Sequence, residues 1–143
     1  MKEPDKVTTR ALQVDIDAIK AADQAFYAAL SARNISGMAS VWADKPYVIC
    51  IGPRSQAMNV GWDAVKKYWE WAFDFFSQMR AFKSEAHLQT GGKLAWVVGV
   101  EHAMLKLRSG GELLKFDAFS THVFEKENGK WLLVSHHAQV IPK

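Results

Sequence analysis

Residues 121–140, THVFEKENGKWLLVSHHAQV, contain two apolar runs on either side of Asn128-Gly129. An Asn-Gly pair between two runs of this kind predicts a β-hairpin with a two-residue type I′ turn. Carried outward from the turn without interruption, the pairing sets Thr121 opposite His136. This stretch therefore predicts the last two strands of an antiparallel sheet.

The preceding segments predict two more long strands and a short one. Gly91-Gly92 and Gly110-Gly111 separate strand-like runs at 79–90, 94–107 and 113–126. The β-branched run Tyr47–Ile51, between Pro46 and Gly52, predicts a short strand. These runs account for most of the chain after residue 78.

The first half of the chain has a helical pattern instead. Apolar residues recur at three- and four-residue steps from Ile16 to Leu30 and from Trp62 to Phe76, and a short helix is expected to begin at Ser36 as its N-cap. Charged residues, Asp23 among them, are assigned to the solvent side of the first helix. The order of elements predicts an α+β fold in which helices cover one face of the sheet.

Composition limits the organisation and the partners. The 143 residues are 49% hydrophobic and 23% charged, which fits one globular domain. We expect a flexible tail at residues 1–12 and a single domain at 13–143. The net charge of +3 is scattered, so no nucleic-acid partner is expected. The chain has no apolar run of spanning length and no apolar signal core, which predicts no membrane partner and a cytoplasmic location.

The register of the last three strands predicts which side chains share a face. Treating Gly110-Gly111 as a second two-residue turn sets His102 opposite Phe119. The face expected to lie under the helices then contains Val98, Val100, His102, Met104, Asp117, Phe119, Thr121, Val123, Val134, His136, Ala138 and Val140. Four of these are polar, and buried polar groups need a partner or a cavity. The pattern predicts a partly hollow interior.

The polar residues of that face are the candidate catalytic groups. His102 or His136 would exchange a proton with a bound carbonyl compound, Asp117 would orient the imidazole, and Thr121 would hold an oxygen. The other reading is that the histidines are hydrogen-bonded core residues and that Asp117 reaches solvent. The predicted ligand-binding residues are Cys50, Trp62, Trp69, Phe73, Trp96, His102, Asp117, Phe119, Thr121 and His136.

A metal ion and a cofactor are not expected. A site built from His102, His136 and Asp117 is conceivable, but these residues have no recognisable ligand spacing. Cys50 is the only cysteine, so no disulfide and no multi-cysteine site can form. The residue types present are sufficient for acid–base chemistry on their own.

Several motifs resemble the SnoaL-like branch of the nuclear transport factor 2-like superfamily. They are Val41–Tyr47 (VWADKPY), Gly61-Trp62, Ala95-Trp96 and Gly129–His137 (GKWLLVSHH), and the resemblance covers about residues 13–141. It implies a curved, mixed, mostly antiparallel sheet wrapped around three helices as a cone with an internal pocket. It also implies a homodimer formed through the outer face of the sheet.

Ketosteroid isomerase belongs to the same superfamily, and its reaction is not expected here. That enzyme uses an aspartate base together with a tyrosine and a protonated aspartate as oxyanion donors. By resemblance, the tyrosine, base and oxyanion positions fall on Phe26, Cys50 and Thr121, none of which carries the required group.

Two functions remain open at this point. The first is a small-molecule pocket protein, a cofactor-free isomerase, cyclase or hydratase acting on an apolar carbonyl compound. The second is a non-catalytic binding or dimerisation module with a vestigial pocket, which the partly apolar outer face of the sheet would favour.

Overall fold

The computed structural model describes the backbone of residues 6–143 and the side chains of residues 12–143. Three helices and six strands follow in the order α1 (Lys6–Ser31), α2 (Ile35–Val41), β1 (Ile49–Ile51), β2 (Asn59–Val60), α3 (Trp62–Phe75), β3 (Phe76–Gly91), β4 (Leu94–Leu107), β5 (Leu114–Glu127) and β6 (Lys130–Val140). The first helix begins inside the segment expected to be a tail, and residues 1–5 of that tail lie outside the described residues.

The strands form one sheet in the order β2-β1-β6-β5-β4-β3. β1 runs parallel to β6, and every other neighbouring pair is antiparallel. The sheet is curved and open, and the helices pack against its inner face. The α+β prediction and the cone-like arrangement implied by the resemblance are confirmed.

The helices are fixed by their apolar faces and caps. Ile19, Phe26 and Leu30 are buried along α1, at the spacing that the sequence predicts. The cap of α2 differs from the prediction, because the side chain of Asn34, not Ser36, accepts a hydrogen bond of 3.1 Å from the Gly37 amide. An N-cap side-chain oxygen accepts a hydrogen bond from the amide two or three residues after it, because that amide has no acceptor within the first turn of the helix.

The β5–β6 hairpin contains a β-bulge that the sequence does not reveal. Pairing follows the prediction from the Asn-Gly turn as far as Phe124 and Leu133. Val134 is then an extra residue on β6, so that His122 lies opposite His136 and Thr121 lies opposite His137. The predicted Thr121–His136 pair is therefore wrong. A bulge of this kind shifts the alternation of all later side chains on its strand.

The predicted inner face is wrong for β4 and β5. The side chains that face the helices on these strands are those of Ala95, Val97, Glu101, Ala103, Leu105, Phe116, Ala118, Ser120, His122 and Phe124. Several of them are small, which allows the helices to approach the sheet closely. The polar ones have hydrogen-bond partners under the helices, as buried polar groups generally do.

The turn between β4 and β5 also differs from the prediction. β4 ends at Leu107 and β5 begins at Leu114, so the connection is a longer loop than Gly110-Gly111 alone. His102 therefore lies opposite Asp117 and not opposite Phe119. This two-residue shift leaves the faces unchanged, because side chains alternate with a period of two.

Candidate functional site

An open cavity of about 680 Å³ lies between α3, the sheet and the loop that joins β1 to β2. Its walls are mostly apolar and include Trp69, Met79 and Phe116. Among the described residues that line it, only Arg54 and Glu101 have basic or acidic side chains. A concave apolar cavity with a few polar groups is the usual form of a small-molecule site.

Glu101 is the carboxyl group of this cavity, on the inner face of β4. It is 4% exposed, and Oε1 accepts a 2.9 Å hydrogen bond from the Tyr27 hydroxyl. The Tyr27 oxygen lies 3.3 Å from Ser120 Oγ. Burial raises the pKa of Glu101, and the hydrogen bond from Tyr27 only partly offsets that effect. The group is a buried carboxyl that touches an apolar cavity.

A buried ion pair lies beside this group. Lys83 Nζ donates a 3.1 Å hydrogen bond to Asp23 Oδ1, which also lies 2.6 Å from His122 Nδ1. Burial acts to raise the pKa of Asp23, but the hydrogen bond from His122 and the Lys83 ammonium outweigh it, and the net pKa is lowered. Asp23 is therefore an ionised carboxylate inside the protein.

Two imidazoles continue the chain of hydrogen bonds from Asp23. His122 Nε2 lies 2.8 Å from His136 Nδ1, and both side chains are buried. Burial lowers the pKa of His122 to about 4 and that of His136 well below its usual value, so both rings are neutral near pH 7. Because the Asp23 carboxylate can only accept, His122 carries its proton on Nδ1 and accepts from His136 Nδ1.

Glu101, His122 and His136 also form the compact set of metal-ligating residue types in the described part of the chain. One donor atom from each lies within 4.8 Å of the others. However, His122 Nε2 is occupied by the hydrogen bond with His136, and the Lys83 ammonium repels positive charge at both imidazoles. The hydrogen bonds account for these groups, and the expected absence of a metal stays a prediction.

The sequence-predicted residues are divided between different places, and four of them, Cys50, Trp69, Phe73 and His136, are buried near the cavity. Trp69 lines the cavity, and its buried indole N–H has no acceptor among the described residues. Cys50 is buried on β1 directly opposite His136, and Phe73 packs against Trp69. Trp62 lies apart from them, in a surface depression beside Pro46.

The other predicted residues lie on the outer face of the sheet, away from His136. His102 Nδ1 lies 2.8 Å from Asp117 Oδ1, and its Nε2 lies 2.6 Å from Ser84 Oγ. Phe119, Thr121 and Trp96 share that face. The structure therefore brings His102 and Asp117 together, as predicted, but does not bring them to the cavity.

Comparison with known proteins identifies the family. A SnoaL-like domain model matches residues 19–142. The chain belongs to the SnoaL-like domain family. F-box protein SKIP8 from Arabidopsis thaliana is 28% identical over 127 residues, which are 87% of this chain and 50% of that protein. The SnoaL-like chain thus spans about half the length of this curated relative.

Solved structures confirm the fold of the SnoaL-like domain. A candidate dehydratase of the NTF2-like family from Streptomyces avermitilis has a TM-score of 0.82 at 23% identity, over 92% of this chain and 99% of that one. A candidate calcium/calmodulin-dependent protein kinase type II association domain from Thiobacillus denitrificans has a TM-score of 0.70 at 28% identity, over 86% and 94% of the two chains. None of the described helices is long and apolar enough to cross a membrane.

Of the three positions implied by ketosteroid isomerase, two are buried beside His136 in this SnoaL-like domain and the third faces outward. Phe26 is fully buried, with its ring 4.5 Å from that of His122 and 5.5 Å from that of Trp69. Cys50 is buried, and burial raises its pKa. Thr121 faces outward with its neighbours on the outer face. The absence of isomerase activity of that type stays a prediction.

Sequence analysis missed the main polar groups of the SnoaL-like interior. They are Asp23, Tyr27, Lys83, Glu101, Ser120 and His122. The assignment of Asp23 to the solvent side of α1 is wrong, although its position four residues from both Ile19 and Tyr27 places it on their helical face. The position of Glu101 was also informative, because it is the one charged residue on the strand face that contains the small apolar residues Ala95, Val97, Gly99 and Ala103.

Proposed function

We propose that this SnoaL-like domain binds a small, largely apolar carbonyl compound in the cavity and exchanges a proton with it through Glu101. The observation that carries this proposal is that Glu101 is the only carboxyl group among the described residues that line this mostly apolar cavity. The corresponding reaction class is that of a cofactor-free isomerase, cyclase or hydratase. The name of the Streptomyces relative, a candidate dehydratase, fits the same class.

The environment of Glu101 suits it to act as a general acid and base. A raised pKa makes its carboxylate a stronger base than an exposed one, and Tyr27 holds it in one orientation. In an isomerisation, Glu101 would take a proton from the carbon next to the carbonyl group. The electron pair of the broken C–H bond would move into an enolate, and Glu101 would return the proton to a different carbon. Glu101 ends in the protonation state in which it began, so the protein is unchanged after one reaction cycle.

Substitution Glu101→Gln tests the proposal, with 1-tetralone as an apolar ketone. Exchange of its C2 protons in D₂O is followed by NMR, and binding by chemical-shift changes of the protein. We expect the wild-type protein to accelerate exchange above the buffer rate. The acceleration should be at least about a hundredfold smaller in the variant, because the side-chain amide of glutamine cannot accept the proton. Binding should change little, since glutamine has the same shape.

Substitution Glu112→Gln is the matched control, because Glu112 is an exposed carboxylate in the loop between β4 and β5. It should leave exchange unchanged. An equal effect of the two substitutions on the exchange rate would contradict the role of Glu101 in the reaction. Binding of the ketone without any acceleration by the wild-type protein would reduce the proposal to ligand binding alone.

A second candidate function, association through the outer sheet face, is favoured by the exposed aromatic residues there. Phe82, Trp96 and Phe119 are 57%, 42% and 53% exposed on neighbouring strands. Exposed apolar patches of this kind mark contact surfaces. Under this proposal the outer faces of two copies form a homodimer, and His102 and Asp117 lie in the contact. The association-domain relative from Thiobacillus denitrificans fits this candidate.

Sedimentation equilibrium of the wild-type protein at micromolar concentrations tests this second candidate. A reversible dimer supports it. A monomer throughout that range contradicts it. The expected cytoplasmic location stays a prediction.

A further inference from the structure

The two charged groups of the cavity lie at different depths. Glu101 is almost completely buried on β4, whereas Arg54 is exposed in the loop between β1 and β2. The cavity therefore runs from a cation at its entrance to a carboxyl group at its inner end, with apolar and aromatic walls between them. A ligand that fills the cavity meets both groups.

The loop holds Arg54 in a defined place. The Gly52 amide donates a 2.8 Å hydrogen bond to Ser55 Oγ, and the Ser55 amide donates to the Gly52 carbonyl at 3.1 Å. A side chain at position 52 would collide with the Tyr68 hydroxyl, so the loop approaches α3 as closely as glycine permits. These contacts bind the turn that carries Arg54 to the wall of the cavity.

Arg54 is also oriented toward the cavity, and it has no carboxylate partner in the part of the chain that the structure describes. Its Cζ lies 5.2 Å from the ring centroid of Phe116, a cavity residue, which is the geometry of a cation–π contact. Among the described residues, no carboxylate lies within ion-pair distance of it. The guanidinium can therefore offer its N–H groups to a ligand.

We propose that the ligand of this cavity is a monocarboxylic acid with an apolar body, whose carboxylate pairs with Arg54 at the entrance and whose reactive carbonyl end faces Glu101. This inference rests on the proposed function and adds the anionic group to it. A planar carboxylate matches the fork of a guanidinium. A single positive charge among the lining residues balances one negative charge, which favours a carboxylate over a phosphate dianion. Repulsion by Glu101 keeps the carboxylate at the outer end.

Binding of matched pairs of probes tests the charge requirement. The pairs are 2-naphthoate with 2-naphthamide and decanoate with decanamide, each measured by calorimetry and by chemical-shift changes of cavity residues. We expect each carboxylate to bind the wild-type protein about tenfold more tightly than its amide, which is the usual gain from a hydrogen bond to a charged group. Substitution Arg54→Gln should remove that preference and leave amide binding unchanged.

Substitution Arg80→Gln is the control, because Arg80 is an exposed arginine on β3 that does not line the cavity. It changes the net charge equally and should preserve the preference for carboxylates. Equal binding of acid and amide to the wild-type protein, or an equal loss in the two variants, would overturn the carboxylate assignment alone. Failure of all four probes to shift any cavity residue would overturn both this inference and the proposed binding function.

Discussion

The Lys83 and Asp23 side chains form an ion pair at 3.1 Å while they are only 3% and 10% exposed. Removing two charges from water is costly, and their attraction compensates only when further hydrogen bonds complete the arrangement. His122 supplies such a bond to Asp23, and the Val97 carbonyl lies 3.4 Å from Lys83 Nζ. Each of these groups therefore compensates for the burial of another. Loss of one leaves a buried polar or charged group without its hydrogen-bond or ion-pair partner.

Substitution Asp23→Asn tests this dependence. It leaves the Lys83 ammonium buried without its main counter-charge, so we expect the free energy of unfolding to fall by about 3 to 5 kcal/mol. The double substitution Asp23→Asn with Lys83→Met should recover much of that loss, because neither member of the pair then carries a buried charge. Chemical denaturation at pH 7 measures both values.

Asp15→Asn is the comparison for that experiment. Asp15 pairs with Lys126 at 2.9 Å, but both side chains are partly exposed. We expect a loss of about 1 kcal/mol or less, as for surface ion pairs. Similar losses for Asp15→Asn and Asp23→Asn, or no recovery in the double variant, would contradict the account of the buried pair.

At the scale of the elements, the bulge at Val134 determines which imidazole enters the interior. Before it, Trp131 and Leu133 are buried, and after it His136 and Ala138 are buried. A regular strand that buries Leu133 would turn His136 outward, because one residue of slip exchanges the faces. The helices, strands and tight Asn-Gly turn were predictable, since periodicity and turn residues are local signals. The bulge was not, because both faces of the strand carry apolar residues.

The same reason explains why the inner face of β4 and β5 was assigned wrongly. Val98 and Val100 on the outer face are larger than the inward Ala95 and Ala103, so hydrophobicity alone favours the wrong side. The inward polar groups are stabilised by partners on α1 and β3 that are distant in sequence. No local pattern contains that information.

Deletion of Val134 tests the role of the bulge. The deletion removes the extra residue, so Leu133, His136 and Ala138 all still face inward on a regular strand. We therefore expect a loss of only about 2 kcal/mol of stability, which corresponds to the buried Val134 side chain. Deletion of Gly111, in the exposed loop between β4 and β5, is the control and should cost about 1 kcal/mol. Thermal unfolding of both variants measures the difference. A loss above about 4 kcal/mol on deletion of Val134 would show that the fold needs the bulge itself and not only the alternation of side chains that it preserves.

At the scale of the whole molecule, the curved sheet separates two surfaces with different properties. The inner face encloses the cavity and the hydrogen-bonded side chains that extend from Lys83 and Asp23 to His136. The outer face exposes Phe82, Trp96 and Phe119 to solvent. Because side chains alternate along each strand, adjacent residues such as Glu101 and His102 lie on opposite faces of the sheet. Changes on the outer face can thus alter association without contact with the cavity.

Substitution Phe119→Asp is expected to weaken a dimer at least tenfold, because it places a charge in an apolar contact. Val14→Asp is the control, since Val14 is an exposed apolar residue on α1. Sedimentation velocity across a concentration series compares the two variants with the wild-type protein. Unaltered self-association of Phe119→Asp would place the contact on another surface.

The extra residue in β6 also has an evolutionary consequence. Seven positions separate Gly129 from His136, and the parity of that spacing, together with the bulge, decides whether the imidazole enters the interior. Loss of a single codon between them would make that spacing even, so that a regular strand without the bulge would keep the same imidazole in the interior. Sequence alignments that place gaps freely in this hairpin would hide such a change, and counting residues from the turn would expose it.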